Sequence, residues 1–534
     1  MKKLICVFQI LFICLFSELS QAESFARAPD AILATKSLSK LPKDIIKIPI
    51  LKDLLTENFV FYYNDEGADW LSFKGALARI AFEQKTDWST QLISWLMNGP
   101  AELALWKGSD GKLRHFMVVI DKTGVKTVIE SMLKISGAGD SQLKPEATDK
   151  TQQVQVLQLA TGRNIYIASQ SNLLFIYSDL SMPLPTQERS LKDRVMSFLG
   201  TSDQIGVFGP KLTSPDHLIT VNAKYLSFGY QSFFESIKAF QFQYGTDGWN
   251  SRVLTSNEFK MPDVNDWSQL PSGAAFCGAV PINKKKIESI MKLGAWFAQA
   301  SDSVLGCWYP GSKFYTPVFA LYGDYAGLLK NADELKAVFS SVIGSREAMW
   351  QAPATEGDSA TLIYKDKLNV KVEKKESQVS FIREVGGRYG LYASKTSKDS
   401  SSLMSKRFFR VKLSVTPHSI VFSPDDQLVD KSLKTIEGKF PSMAALLTSK
   451  EKIPSIFFSP DSFSKLGKSS ILDSLPAAQE AIFRESVSKN LFPNFDKFAK
   501  RPQQTASLGS NDSGPMAEAG LTWKKLEWVT HEAK

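Results

Sequence analysis

The chain has 534 residues, 43% of them apolar, and a formal net charge of +9 from 64 Lys and Arg against 55 Asp and Glu. That length and apolar content suffice for two or more packed domains. The charge is spread so evenly that no run exceeds the triplet Lys284-Lys285-Lys286, which argues against nucleic acid as a partner and leaves only loose attraction to anionic envelope surfaces.

The first predicted element is a leader. Lys2 and Lys3 precede an apolar run from Leu4 to Phe16, and the segment closes on Ser20-Gln21-Ala22. This pattern predicts a secretory signal peptide over residues 1–22, cut after Ala22. The run falls short of the ~18 residues that cross a bilayer, and Cys14 lies too deep inside it for a lipoprotein signal. No later apolar run approaches that length, so the expected product is periplasmic or envelope-associated, with no transmembrane span in the mature chain.

Two similar halves follow. GRNIYIAS from Gly162 matches GRYGLYAS from Gly387, ELALWKG from Glu102 matches VFALYGD from Val318, and LLFIYSD from Leu173 matches SIVFSPD from Ser419, in the same order along the chain. Such recurrence predicts a duplication, with copies over residues 23–270 and 271–534. The first opens on PDAILATKSLSKLPKDIIKI from Pro29, the second on PSGAAFCGAVPINKKKIESIM from Pro271.

Within each copy, stretches such as VQVLQLATGRNIYIASQSNLLFIYSD alternate with period two and carry turn residues at Gly162-Arg163 and Ser171-Asn172, the signature of an antiparallel meander. A helix is expected over Trp88–Met97, capped by Asp87 and stopped by Asn98-Gly99-Pro100. The expected class is α+β: two tandem modules of antiparallel sheet covered by helices, pictured as ferredoxin-like split βαβ units. Residues 501–520 are polar and small and read as a mobile loop. LTWKKLEWV from Leu521 alternates again and reads as a closing strand.

Few residues suggest chemistry. The histidines His115, His217, His418 and His531 have no partner at metal-ligand spacing, and neither HExxH nor CxxC occurs, so no metal or other cofactor is expected. His115 reads as structural, His217 and His418 as exposed at strand starts. GxSxG is absent, and LGKSS at Leu466 has Ser462 where a phosphate loop needs its first glycine. Ser37-Leu38-Ser39-Lys40 and Lys122-Thr123-Gly124 imitate two pieces of a penicillin-interacting site, but Ser-x-x-Lys recurs too often here to carry information. Asp65-Glu66 and Asp425-Asp426 read as solvated turn charge, since glycoside cleavage needs carboxylates that meet in space. No catalytic residue is assigned.

Cys277 and Cys307 are the cysteines left beyond the leader. One disulfide, two free buried thiols and a nucleophile are all open readings. Export favours the disulfide, which would close a loop of about 30 residues, and a nucleophile would need a base that no nearby histidine supplies. Lys284, Lys285 and Lys286 stand at a predicted helix start, where the helix dipole disfavours cations, and are kept as an anionic-contact candidate.

SLSKLPKDIIKIPILKDLLTENFVFYY from Ser37 and PAELALWKGSDGKLRHFMVV from Pro100 resemble the bacterial family known as domain of unknown function 2138. The resemblance implies an envelope location and a gene neighbourhood containing bacterial alpha-2-macroglobulins, but no catalytic residues. The functional expectation is a non-enzymatic accessory protein that binds an envelope partner, the alpha-2-macroglobulin being the candidate; the alternative is a cell-wall or glycan-binding protein with hydrolase activity.

Overall fold

The computed structural model describes residues 29–45, 47–48, 95, 98–107, 113–125, 127, 143–149, 152–158, 164–170, 172–180, 182, 215–223, 236–256, 263–282, 284, 300–312, 316–340, 370–386, 408–447, 453–474, 485, 487–512 and 520–531. They divide into two compact units, one within residues 1–227, 238–254 and 512–523, the other within 228–237, 255–511 and 524–534.

The first unit is built from β1 (Ala31–Thr35), β2 (Ala101–Lys107), β3 (Leu113–Asp121), β4 (Leu143–Asp149), β5 (Gln152–Gln158), β6 (Asn164–Gln170), β7 (Leu173–Tyr177), β8 (His217–Asn222), β9 (Ile237–Gly245) and β10 (Gly248–Ser256). Their ladder runs β9-β8-β1-β2-β3-β7-β6-β5-β4. The second unit is built from β11 (Phe276–Pro281), β12 (Ser303–Trp308), β13 (Val318–Tyr322), β14 (Lys371–Lys375), β15 (Gln378–Gly386), β16 (Phe408–Val415), β17 (Ser419–Ser423), β18 (Ile456–Phe458) and β19 (Gln504–Asp512), and the chain closes on β20 (Leu521–Thr530). Its ladder runs β19-β18-β11-β12-β13-β17-β16-β15-β14. Each strand of the second order is the strand ten places later than its counterpart in the first.

This architecture corrects the expected fold class. In each unit the strands pair into one antiparallel ladder, and among the described residues strands outnumber helices, of which Asp426–Ile436 and Pro460–Ser474 are two of the longer. A ferredoxin-type module joins its strands through two helices in the order βαββαβ, whereas each unit here pairs nine strands in one antiparallel ladder. The reason is local. Two-residue links such as Thr246-Asp247 before β10 and Glu376-Ser377 before β15 close hairpins, and Gly248 takes the positive φ of 82° that a tight hairpin turn requires. The expected loop over 501–520 is corrected too, because residues 504–512 form β19; the closing segment is a strand as expected. The helix expected over Trp88–Met97 and the segment GRYGLYAS lie outside the described residues, Trp95 excepted.

Alternate residues of the same strands enter two cores. In the first unit Leu103, Leu105, Phe116, Val118 and Ile120 lie in one cluster and Ala104, Trp106, Met117 and Val119 in another. In the second, Val304, Leu321, Val379 and Phe381 oppose Leu305, Cys307, Val318 and Ala320. Burial on both faces explains why the central strands read as continuous apolar runs such as FMVVI. Helix Asp426–Ile436 adds Leu428, Val429 and Leu433 to the second of these clusters, each worth roughly 1.5–3 kcal/mol when fully buried.

Candidate functional site

The strongest gathering of chemically capable side chains lies at one end of β1 in the first unit. Antiparallel register sets Thr35, the last residue of β1, opposite His217, the first of β8, and Thr35 Oγ1 lies 2.7 Å from His217 Nδ1. The chain then turns, Thr35 Oγ1 accepting the Ser37 N–H at 3.0 Å, and the short helix Leu41–Ile45 returns Asp44 to the ring, where His217 Nε2 lies 2.9 Å from Asp44 Oδ2. Lys47 Nζ donates to Asp44 Oδ1 at 2.7 Å and to the Tyr244 hydroxyl at 3.1 Å. Trp249 Nε1 donates to the Asp44 carbonyl. Tyr244 stacks on His217 with ring centroids 5.5 Å apart and meets Trp249 at 5.2 Å.

Burial pushes the Asp44 carboxyl upward, but hydrogen bonds from Lys47 and His217, with their charges, outweigh it and hold the group below its ordinary range. An ionised Asp44 accepts from Nε2–H, while at Nδ1 the ring meets the Thr35 hydroxyl, which also donates to the Ser37 carbonyl at 2.9 Å. Hydroxyl, imidazole and carboxylate in this order make the relay that activates nucleophiles. Thr35 is 0% and His217 1% exposed, however, so in this conformation substrate has no route to the hydroxyl, and the relay instead ties the Leu41–Ile45 helix to two strands. His217, expected at the surface, is thus corrected to a core position. The signal for it was weak: only the alternation of HLITVN, with His217 in phase with an inward residue, pointed there. His115 is buried in β3 and His418 exposed, as expected.

In the second unit Cys277 and Cys307 are bonded. They face each other in the β11–β12 register with Cα atoms 4.2 Å apart, near the close spacing of a non-hydrogen-bonded antiparallel pair. Both are fully buried. Of the lysine triplet, Lys284 donates to the Ala300 carbonyl and pairs with Asp302 at 2.8 Å; Lys285 and Lys286 lie outside the described residues. Close by, Asp266 caps the helix Val264–Trp267 by accepting the Asp263 N–H at 2.8 Å, and it accepts the Ser303 hydroxyl. Burial pushes its carboxyl up, against those hydrogen bonds.

The remaining motifs resolve into structure. Ser37 and Ser39 share a hydroxyl contact of 2.9 Å while Lys40 is exposed, and Lys122 lies 5.0 Å over the Trp95 ring. Asp425 caps its helix, Asp426 pairs with Arg410, and Ser462 donates to the Gly273 carbonyl. Asp65 and Glu66 lie outside the described residues. Among the described residues no group of three or more His, Cys, Asp and Glu could hold a metal ion, and no helix is long and apolar enough to cross a membrane.

These features define a two-unit, antiparallel-sheet protein with a disulfide-bonded strand pair in one unit and a polar relay in the other. The chain belongs to the family described as "Uncharacterized protein conserved in bacteria (DUF2138)", which it matches over residues 17–528. It is 30% identical over 531 residues to "Uncharacterized protein YfaA" of Escherichia coli (strain K12), covering 94% of this chain and 89% of that protein. No solved structure matches it.

Proposed function

We propose that this chain is exported across the inner membrane by its N-terminal leader and acts in the cell envelope by binding another protein, the bacterial alpha-2-macroglobulin implied by the family's gene neighbourhood. The observation that carries the reading is the Cys277–Cys307 bond, because disulfides persist in oxidising compartments such as the periplasm and are rare in the cytosol. The leader pattern at residues 1–22 agrees with it. A binding role is supported by the fate of the most reactive-looking side chains: Thr35 and His217 are spent on holding strands together behind a closed surface.

The full chain, expressed in its own host, tests this in one preparation. N-terminal sequencing of the osmotic-shock fraction should find a chain shortened near residue 22, alkylation before reduction should find no free thiol in it, and crosslinking in intact cells should join it to the alpha-2-macroglobulin. An unprocessed cytoplasmic chain with two free thiols overturns export; a processed chain that crosslinks instead to glycan, or to nothing, overturns the partner.

A further inference from the structure

Residues 437–441, Glu-Gly-Lys-Phe-Pro, are all exposed and form a tip after the helix Asp426–Ile436. The tip is held at both ends. Gly438 takes a φ of 76° and its N–H donates to the Thr435 carbonyl at 2.9 Å, while the Lys439 N–H donates to the Lys434 carbonyl at 2.8 Å; these bonds close the helix in the left-handed manner for which glycine is suited. On the far side the Ser272 N–H donates to the Pro441 carbonyl at 2.8 Å, and the Met443 N–H to the Leu270 carbonyl at 2.8 Å. At the apex Phe440 is 42% exposed, which makes it one of few large hydrophobic side chains so placed among the described residues.

One cation adjoins it and two more act on the neighbouring Glu437. Lys439 is its neighbour in sequence and pairs with Glu437 at 2.6 Å. Lys434 stands on the last turn of the helix and Lys375 at the end of β14, both exposed and both acting electrostatically on Glu437. Three lysines therefore stand near Glu437, with Glu376 following Lys375 in the chain. An aromatic ring at the apex of a pinned turn, with one lysine beside it and two more near Glu437 on flexible stems, is an arrangement that enters the headgroup layer of a bilayer, with ring inward and ammonium groups at the phosphates. A protein-binding hot spot would need a cluster of apolar neighbours within a patch of about 800 Å², whereas Phe440 is flanked by Lys439, Glu437 and Pro441.

We infer that this tip is a membrane-surface contact, in which Phe440 inserts into the headgroup layer of an anionic phospholipid bilayer while Lys375, Lys434 and Lys439 meet the lipid phosphates. The inference goes beyond the proposed export and partner and does not rest on them, since the membrane can be supplied in vitro.

Cosedimentation of the purified chain with phosphatidylcholine vesicles, with and without phosphatidylglycerol, tests it. Binding should require phosphatidylglycerol and weaken as salt rises. Phe440→Ser should lower partitioning by about threefold to tenfold, with Phe440→Trp restoring it. The combination Lys375→Glu, Lys434→Glu and Lys439→Glu should lower it on the order of 100-fold. A charge-matched control, Lys40→Glu with Lys336→Glu and Lys500→Glu, alters exposed lysines elsewhere and should have a much smaller effect. All these side chains are exposed, and circular dichroism verifies that each variant is folded. The inference falls if the wild-type chain ignores anionic vesicles, if Phe440→Ser binds as the wild type does, or if the control loses as much as the tip variant, which would leave only net charge. Retention by a soluble envelope protein without vesicle binding would overturn it in favour of a protein partner.

Discussion

β1 and β11 hold the same place in their ladders, β1 between β2 and β8, β11 between β12 and β18, yet they are fastened by different chemistry. β1 is secured at its end by Thr35, His217 and Asp44, a set of hydrogen bonds that depends on where protons sit. β11 is secured by a covalent bond from Cys277 to Cys307 on the neighbouring strand. The same pairing order thus does not dictate one kind of fastener: hydrophobic burial on both faces supplies the common stability, and each unit adds its own local lock. One lock should answer to pH and the other to redox conditions.

The largest expected effect tests the covalent side. Cys277→Ala with Cys307→Ala frees a loop of 30 residues in the unfolded chain and should cost about 3–4 kcal/mol in the chain-entropy picture. Native-state hydrogen exchange should show that loss in β11, β12 and β13, with β1, β2 and β3 unchanged. Equal losses in both sets of strands would break the comparison, because the lock would then not be local. Next in size is His217→Ala, which leaves Asp44 and Thr35 without their buried partner and should cost about 2–3 kcal/mol. Here the loss should appear in β1, β8 and the Leu41–Ile45 helix, and reductant should neither mimic nor enlarge it.

Two carboxyls sharpen the contrast further, because their pKa values move in opposite directions. Asp44 is held below the ordinary value near 3.8. The folded first unit therefore binds that proton less readily than the unfolded chain does; the stability it contributes is present above about pH 4 and lost as pH falls through the lower folded value. Asp266 is pushed above the same ordinary value by burial. Its contribution is present below that value and is lost as pH rises through the raised folded one. Urea unfolding across this range should find acid loosening the first unit and tightening the second. Asp44→Asn and Asp266→Asn should each flatten the pH dependence of its own unit. Slopes of the same sign would remove the distinction.

How far the sequence foretold these units follows from the range of the interactions. Period-two alternation and turn residues located the hairpins, since both are set within a few residues, as at Asn164–Tyr177. The compartment argument pointed to the disulfide, and the register of β11 on β12 realises it. Fold class is not legible because the long-range pairings that build the ladders, β1 with β8 or β3 with β7, leave no local mark. The relay was illegible for the same reason. Thr35, Asp44 and His217 are separated by up to 182 residues, and only the ladder brings them together. The tip at Phe440 was overlooked because a lone Phe in a polar stretch cannot be known to be exposed until the strands around it are placed.

The smallest expected effect concerns Lys284. At a helix start its charge opposes the helix dipole, a conflict that by itself would favour an anion from outside. The structure supplies the anion internally: Asp302 sits 2.8 Å from the ammonium group, and the Ala300 carbonyl accepts a second bond. With side chains 26% and 39% exposed, the pair is screened by solvent and should contribute about 0.5–1 kcal/mol at most. Lys284→Ala should therefore lower the stability of the β11–β12 region slightly and leave vesicle binding unchanged, while the Lys375, Lys434 and Lys439 combination lowers that binding on the order of 100-fold. If Lys284→Ala instead weakened vesicle binding, the cationic contact would extend to the strand pair that carries the disulfide, and the covalent lock and the membrane-facing surface would belong to the same part of the second unit.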